Sequence, residues 1–146
     1  MSKKYLVAGA TGLIGTTLVN QIPLNEDVTV IARRKINYKR PVNFLNLDEC
    51  IKLPHADHLF ICIGYPLELR DLLLMRKSIK AKFKAVDYNL VIKIAEAAKQ
   101  SSIKSVSVIS SIEAHPKSLN YYLKVKGQME NTVSYTHLTL PTTLNV

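Results

Sequence analysis

The sequence predicts an α/β domain built on a doubly wound parallel sheet, and three observations carry that expectation. Short apolar runs rich in β-branched residues recur along the chain, amphipathic stretches separate most of them, and the first junction holds three glycines within residues 9–15. Strands that are apolar throughout suit burial on both faces, the habit of parallel sheets. Helices between them supply the crossovers such a sheet needs. The expected strands are residues 5–8, 28–31, 42–47, 59–63 and 106–109. Residues 12–22 read as the first helix, with Leu13, Thr17 and Leu18 near one face and Pro23 as its stop. A second helix is expected within residues 67–80, with Leu69, Leu72, Leu73 and Met75 as its apolar side. Residues 83–98 place Val86, Leu90, Val91, Ile94, Ala97 and Ala98 at helical spacing.

Size and composition bound the answer further. A chain of 146 residues fits one ordinary domain. Its 47% apolar and 21% charged content is that of a folded protein rather than a disordered one. The net charge of +9 favours polyanionic partners without choosing among cofactor, nucleic acid or anionic membrane. Cys50 and Cys62 are too few for a disulfide framework and have no metal-knuckle spacing. No apolar run approaches the roughly 20 residues of a membrane helix. The N-terminus passes from Met1 to Lys4 into a strand without a secretory apolar segment. Secreted, membrane-spanning and disulfide-stapled classes are set aside, and a cytoplasmic domain is expected.

The first strand runs into Gly9-Ala10-Thr11-Gly12-Leu13-Ile14-Gly15, a GxxGxxG turn that opens a helix. One glycine permits the tight turn, one lets backbone N–H groups approach a pyrophosphate, and one lets helix and strand pack closely. The helix N-terminus adds unpaired donors and partial positive charge. Strand before and helix after are the context this motif requires, so dinucleotide binding is the reading. An NAD site usually places an acid at the end of the second strand. Here that strand ends Ala32-Arg33-Arg34-Lys35. A guanidinium pairs bidentately with phosphate, so Arg33 and Arg34 predict NADP over NAD. Asp48, after the third strand, either contacts the adenine or caps a helix starting there.

A second constellation follows the fifth strand. Ser110 and Ser111 precede Tyr122 and Lys126, which stand at i and i+4 on one face of a helix. A free phenol, of pKa about 10, is a poor acid–base catalyst at neutral pH, and a nearby ammonium favours the phenolate. The lysine can also hold a nicotinamide ribose while the Ser111 hydroxyl polarises a carbonyl. Tyr121 competes for the role, but its i+4 neighbour is Val125.

These segments (GATGLIG, ARRK, FICIG, VDYNLVIKIAEAAK, VISS and YLKVKGQME) resemble the short-chain dehydrogenase/reductases, and among them the atypical branch of Tat-interacting-protein-like oxidoreductases. The resemblance covers about residues 4–132. It implies a Rossmann-type fold and NADP-dependent hydride transfer on a small carbonyl or alcohol substrate. It also implies that Gly9, Thr11, Gly12, Leu13, Ile14 and Gly15 wrap the pyrophosphate and that Arg33 and Arg34 take the 2′-phosphate. Ile63 and Gly64 would line the groove. Tyr122 would move the proton, with Lys126 and Ser111 assisting. Residues 65–84 depart from the family by being longer and more basic, so no substrate is implied. A cofactor-loaded regulatory module acting through a protein partner is the alternative. A nucleic-acid role rests on charge alone, because the basic residues Arg76, Lys77, Lys80, Lys82 and Lys84 lack an interleaved aromatic series. His55, Asp57 and His58 precede the fourth strand, at the sheet edge opposite the ligand edge, and read as surface residues. Cys62 reads as a small core residue.

Composition changes near residue 133, after which there is no Lys, Arg, Asp or Glu. Residues 133–142 resemble the in-frame translation of a sequencing-library adapter. Residues 1–132 are therefore expected to form a C-terminally truncated Rossmann domain, and 133–146 a non-native tail. The fifth strand is then expected to lack an outer neighbour, leaving an unprotected edge and a marginally stable, aggregation-prone chain.

Overall fold

The structure is a computed structural model that describes residues 1–49, 52–136 and 142–145, the last four by backbone alone. Among the described residues, six parallel strands form one sheet: β1 (Lys4–Ala8), β2 (Asp27–Ala32), β3 (Asn43–Asn46), β4 (His58–Ile61), β5 (Val106–Ile109) and β6 (Thr142–Asn145). Their order is β3-β2-β1-β4-β5-β6. The chain thus winds outward from β1 in one direction, then returns to β1's other side with β4. Register is set by pairs such as Val7↔Val30 and Val7↔Phe60.

Alternation along the strands divides the core in two. Leu6 and Ala8 join Ile31, Leu59, Ile61, Val106 and Val108 on one face. There they meet Val91, Ile94, Ala95 and Ala98 of helix α4 (Val91–Gln100) and Met129 and Val133 of α5 (Tyr121–Thr136). Val7, Val28 and Val30 point to the other face, against Val19 of α1 (Leu13–Gln21) and Ile22 just beyond it.

Several sequence expectations are corrected here. The inward residues of α1 are Gly15 and Val19, whereas Leu13 is 85% exposed. Residues 67–80 do not form one helix. They hold the short α2 (Leu69–Leu73), a break, and the start of α3 (Lys77–Lys84). Met75 is buried and Leu72 partly so, but Leu69 and Leu73 face solvent, so the supposed apolar side is split. A π-helical turn, Ala85–Leu90, joins α3 to α4 and makes residues 77–100 one continuous helical run. β4 ends at Ile61, leaving Cys62 and Ile63 just past the strand. His58 is no free surface histidine: its ring lies 4.2 Å from that of Phe60 and its Nε2 is 2.8 Å from Ser107 Oγ.

The expectation of an unpaired β5 edge is also overturned. β6 pairs with β5 in parallel from Val106↔Thr142 to Ile109↔Asn145. The boundary expected at residue 132 falls inside α5, and Val133 is fully buried. Residues 137–141 and 146 of the expected tail, and Cys50, lie outside the described residues.

Candidate functional site

The order β2-β1-β4 creates a topological switch point, and a crevice opens at the carboxyl ends of β1 and β4. A cleft of about 500 Å³ occupies that place. Gly9, Thr11 and Gly12 line it at the head of α1, Arg33 and Arg34 at the end of β2, and Ile63, Gly64 and Tyr65 after β4. The sequence-derived cofactor residues from three separated segments therefore converge on one cavity.

The glycine loop is dictated sterically. Gly9 has φ of +75°, and a Cβ there would stand 2.5 Å from the Cys62 carbonyl oxygen. A Cβ on Gly15 would meet the Gly9 oxygen at 2.2 Å, so α1 leaves β1 at a distance only glycine allows. Leu13 and Ile14 do not line the cleft. Their side chains border a separate groove with Phe60, Cys62 and Ile109. Asp48 is not the cap of a helix among the described residues. Its carboxylate stands 3.5 Å from the Arg33 guanidinium, an exposed pair that orients the arginine.

The residues expected to carry proton transfer sit beside the cleft. Tyr65, which lines the cleft, packs in one cluster with Met75, Phe83, Val125, Tyr121 and Tyr122. The Tyr122 ring stacks on Phe83 at 5.4 Å between centroids. Lys126 lies on the same helix face, its Nζ 5.8 Å from the Tyr122 ring. That ammonium is buried and donates to Asp87 Oδ1 at 2.6 Å. Asp87 Oδ2 in turn accepts the Tyr65 N–H at 2.8 Å, and a Cβ on Gly64 would stand 3.8 Å from Asp87 Oδ1. The ion pair thus lies directly beneath the wall of the cleft. Among the described residues no hydrogen bond joins Ser111 to Tyr122. The Ser111 hydroxyl donates to the Ile112 carbonyl, while the adjacent Ser110 is buried and donates to Glu130.

Asp87 is the site residue that sequence reasoning missed. It sits in the π turn, a feature often found where a helix serves a site, and 3.6-residue periodicity does not reveal such a turn. Its own signal was an acid amid the apolar face of a helix, at Val86-Asp87-Tyr88. Cys62 borders both cavities. Half-burial pushes its thiol up to about 11, which keeps it protonated and unreactive at neutral pH.

The sequence is similar to those of two curated proteins. The chain is 31% identical over 145 residues to protein HTATIP2 of Rattus norvegicus, an alignment covering 90% of this chain and 57% of the relative. It is 26% identical to mitochondrial protein FMP52 of Lodderomyces elongisporus, covering 91% of this chain and 61% of that one. The chain is similar in sequence to HTATIP2 and FMP52. It spans about three-fifths of the length of these relatives. No family model matches it. Among solved structures, MoeE5 in complex with UDP-glucose and NAD superposes with a TM-score of 0.72 at 19% identity, over 97% of this chain and 52% of that one. A UDP-N-acetylglucosamine 4-epimerase from Methanobrevibacter ruminantium gives 0.75 at 17%, over 98% and 54%. The fold is the Rossmann-type fold of these proteins. Among the described residues, no helix is long and apolar enough to cross a membrane.

Proposed function

We propose that the protein binds NADP(H) and that its full-length form transfers hydride between this cofactor and a small carbonyl or alcohol. The observation that carries the reading is the convergence of Gly9, Thr11 and Gly12 with Arg33 and Arg34 on one cleft at the switch point. Backbone amides of the loop and of the head of α1 would receive the pyrophosphate. Arg34, and Arg33 held by Asp48, would receive the 2′-phosphate. The cofactor supplies the hydride chemistry when bound. Tyr122 would exchange the proton with the substrate oxygen, Lys126 would orient the ribose from beneath Gly64, and Ser111 would orient the carbonyl. MoeE5, which shares the fold, is solved with NAD, which supports the cofactor class, and the choice of NADP rests on the arginines. The cytoplasm is the proposed compartment. The FMP52 relative is named mitochondrial, which makes the mitochondrion the address an imaging experiment must exclude.

Tyr122→Phe is the direct test. It should lower NADPH-dependent carbonyl reduction by about 100-fold or more, the scale of a lost general acid, with NADPH affinity nearly unchanged. Undiminished turnover in that variant would remove Tyr122 from the mechanism. Absence of turnover in the full-length wild type, with tight NADPH binding, would favour the regulatory module acting through a protein partner. Equal affinity for NADH and NADPH would remove the arginines from cofactor choice.

A further inference from the structure

The segment between β2 and β3, residues 33–42, does more than carry the arginines. It is strapped across α1 at three places. The Lys39 N–H donates to Asn20 Oδ1 at 2.8 Å, the buried Arg40 guanidinium donates to the carbonyls of Ile22, Pro23 and Glu26, and the Tyr38 hydroxyl donates to the Ala10 carbonyl at 2.8 Å. Ala10 lies inside the glycine loop. Its carbonyl also accepts the Thr16 hydroxyl at 3.0 Å, so both lone pairs of that oxygen are taken by side chains.

A trans peptide is planar, and its N–H points opposite to its C=O. The bond between Ala10 and Thr11 is trans, since none of the peptide bonds among the described residues is cis. Fixing the Ala10 oxygen toward Tyr38 and Thr16 therefore fixes the Thr11 N–H on the opposite side. Thr11 lines the cleft, and among the described residues its amide has no acceptor. A flipped peptide would instead present an oxygen to the phosphate site. Partial burial raises the Tyr38 phenol above its ordinary value, so it remains a neutral donor through the physiological range.

We propose that Tyr38 is a positioning residue for pyrophosphate recognition, locking the Ala10–Thr11 peptide, together with Thr16, so that the Thr11 N–H faces the ligand. The inference rests on the dinucleotide reading and extends it to a residue outside the glycine motif. ADP-ribose and adenosine 2′-monophosphate separate the two parts of the cleft, since only the former carries a pyrophosphate. Tyr38→Phe keeps the ring and removes the donor. It should weaken ADP-ribose binding about tenfold, the scale of one lost hydrogen bond, and leave 2′-AMP affinity unchanged. Thr16→Val should produce the same selective loss. Unchanged ADP-ribose binding in Tyr38→Phe overturns the proposal, and so does an equal loss of both ligands, which would mark a strap that is merely structural. A wild-type chain that binds neither ligand defeats the dinucleotide reading itself, an outcome distinct from a variant that binds like the wild type.

Discussion

Burying an ammonium beside a carboxylate is tolerable only when each satisfies the other, and Lys126 and Asp87 do so at 2.6 Å with side chains 5% and 3% exposed. The Tyr65 amide takes the second carboxylate oxygen, so the pair is also hydrogen-bonded into the wall of the cleft. Asp87→Ala would leave the Lys126 ammonium buried without a countercharge, at a cost of about 3–5 kcal/mol. Urea denaturation of the variant measures that loss. The double variant Asp87→Leu/Lys126→Met should recover most of it, because the cost of a broken pair lies in the orphaned charge. An Asp87→Ala chain as stable as the wild type would show that water reaches Nζ. At this scale the sequence was legible wherever chemistry is written in local spacing. Gly9, Arg33 and Arg34 line one cleft, Gly15 packs against the Gly9 oxygen, and Lys126 lies on the same helix face as Tyr122. Asp87 was not legible, since its partner lies 39 residues away.

Helix α1 and the strap over it form the element on which the cleft is built. Helix α1 ends at Gln21, and the turn that follows it carries carbonyls that need hydrogen-bond partners when buried. Arg40 reaches across from the strap and takes the Ile22, Pro23 and Glu26 carbonyls. Arg40→Ala should therefore cost about 2–3 kcal/mol, as for hydrogen bonds from a charged donor, and lower the thermal midpoint. If the midpoint stays put, solvent serves those carbonyls equally well. Helical periodicity alone could not foresee this contact, nor the splitting of residues 67–80. Periodicity identifies which residues share a face, but which face meets the core depends on what packs there. Leu69 and Leu73 do share a face of α2, and that face is turned to solvent, while Met75 and Phe83 enter a cluster with α5. The π turn likewise shifts the helical phase between α3 and α4 without a mark in composition.

For the whole molecule, burial shifts three titratable groups and so makes stability depend on pH. Burial lowers His58 below 6.5. As pH falls through that value, the unfolded chain takes up a proton the folded chain resists, so stability declines on the acid side. Burial raises Cys62 from 9.0 to about 11 and also raises Tyr38. Above about pH 9 the unfolded chain releases a proton that folded Cys62 keeps until about 11, so stability declines there as well. Urea midpoints measured from pH 5 to 10 should pass through a maximum between these arms, and His58→Gln should flatten the acid arm. A wild-type profile flat below 6.5 would mean that His58 is freely protonated in the fold. The alternation of β-branched runs and amphipathic helices, with a glycine loop at the first junction, was enough to specify a doubly wound sheet and its switch-point cleft. Those features depend on local periodicity and on the sterics of single residues. The outer neighbour of β5, the Asp87–Lys126 pair beneath Gly64 and the Tyr38 tie to Ala10 arise only on folding, because each joins residues far apart in the chain through contacts with no local spacing rule.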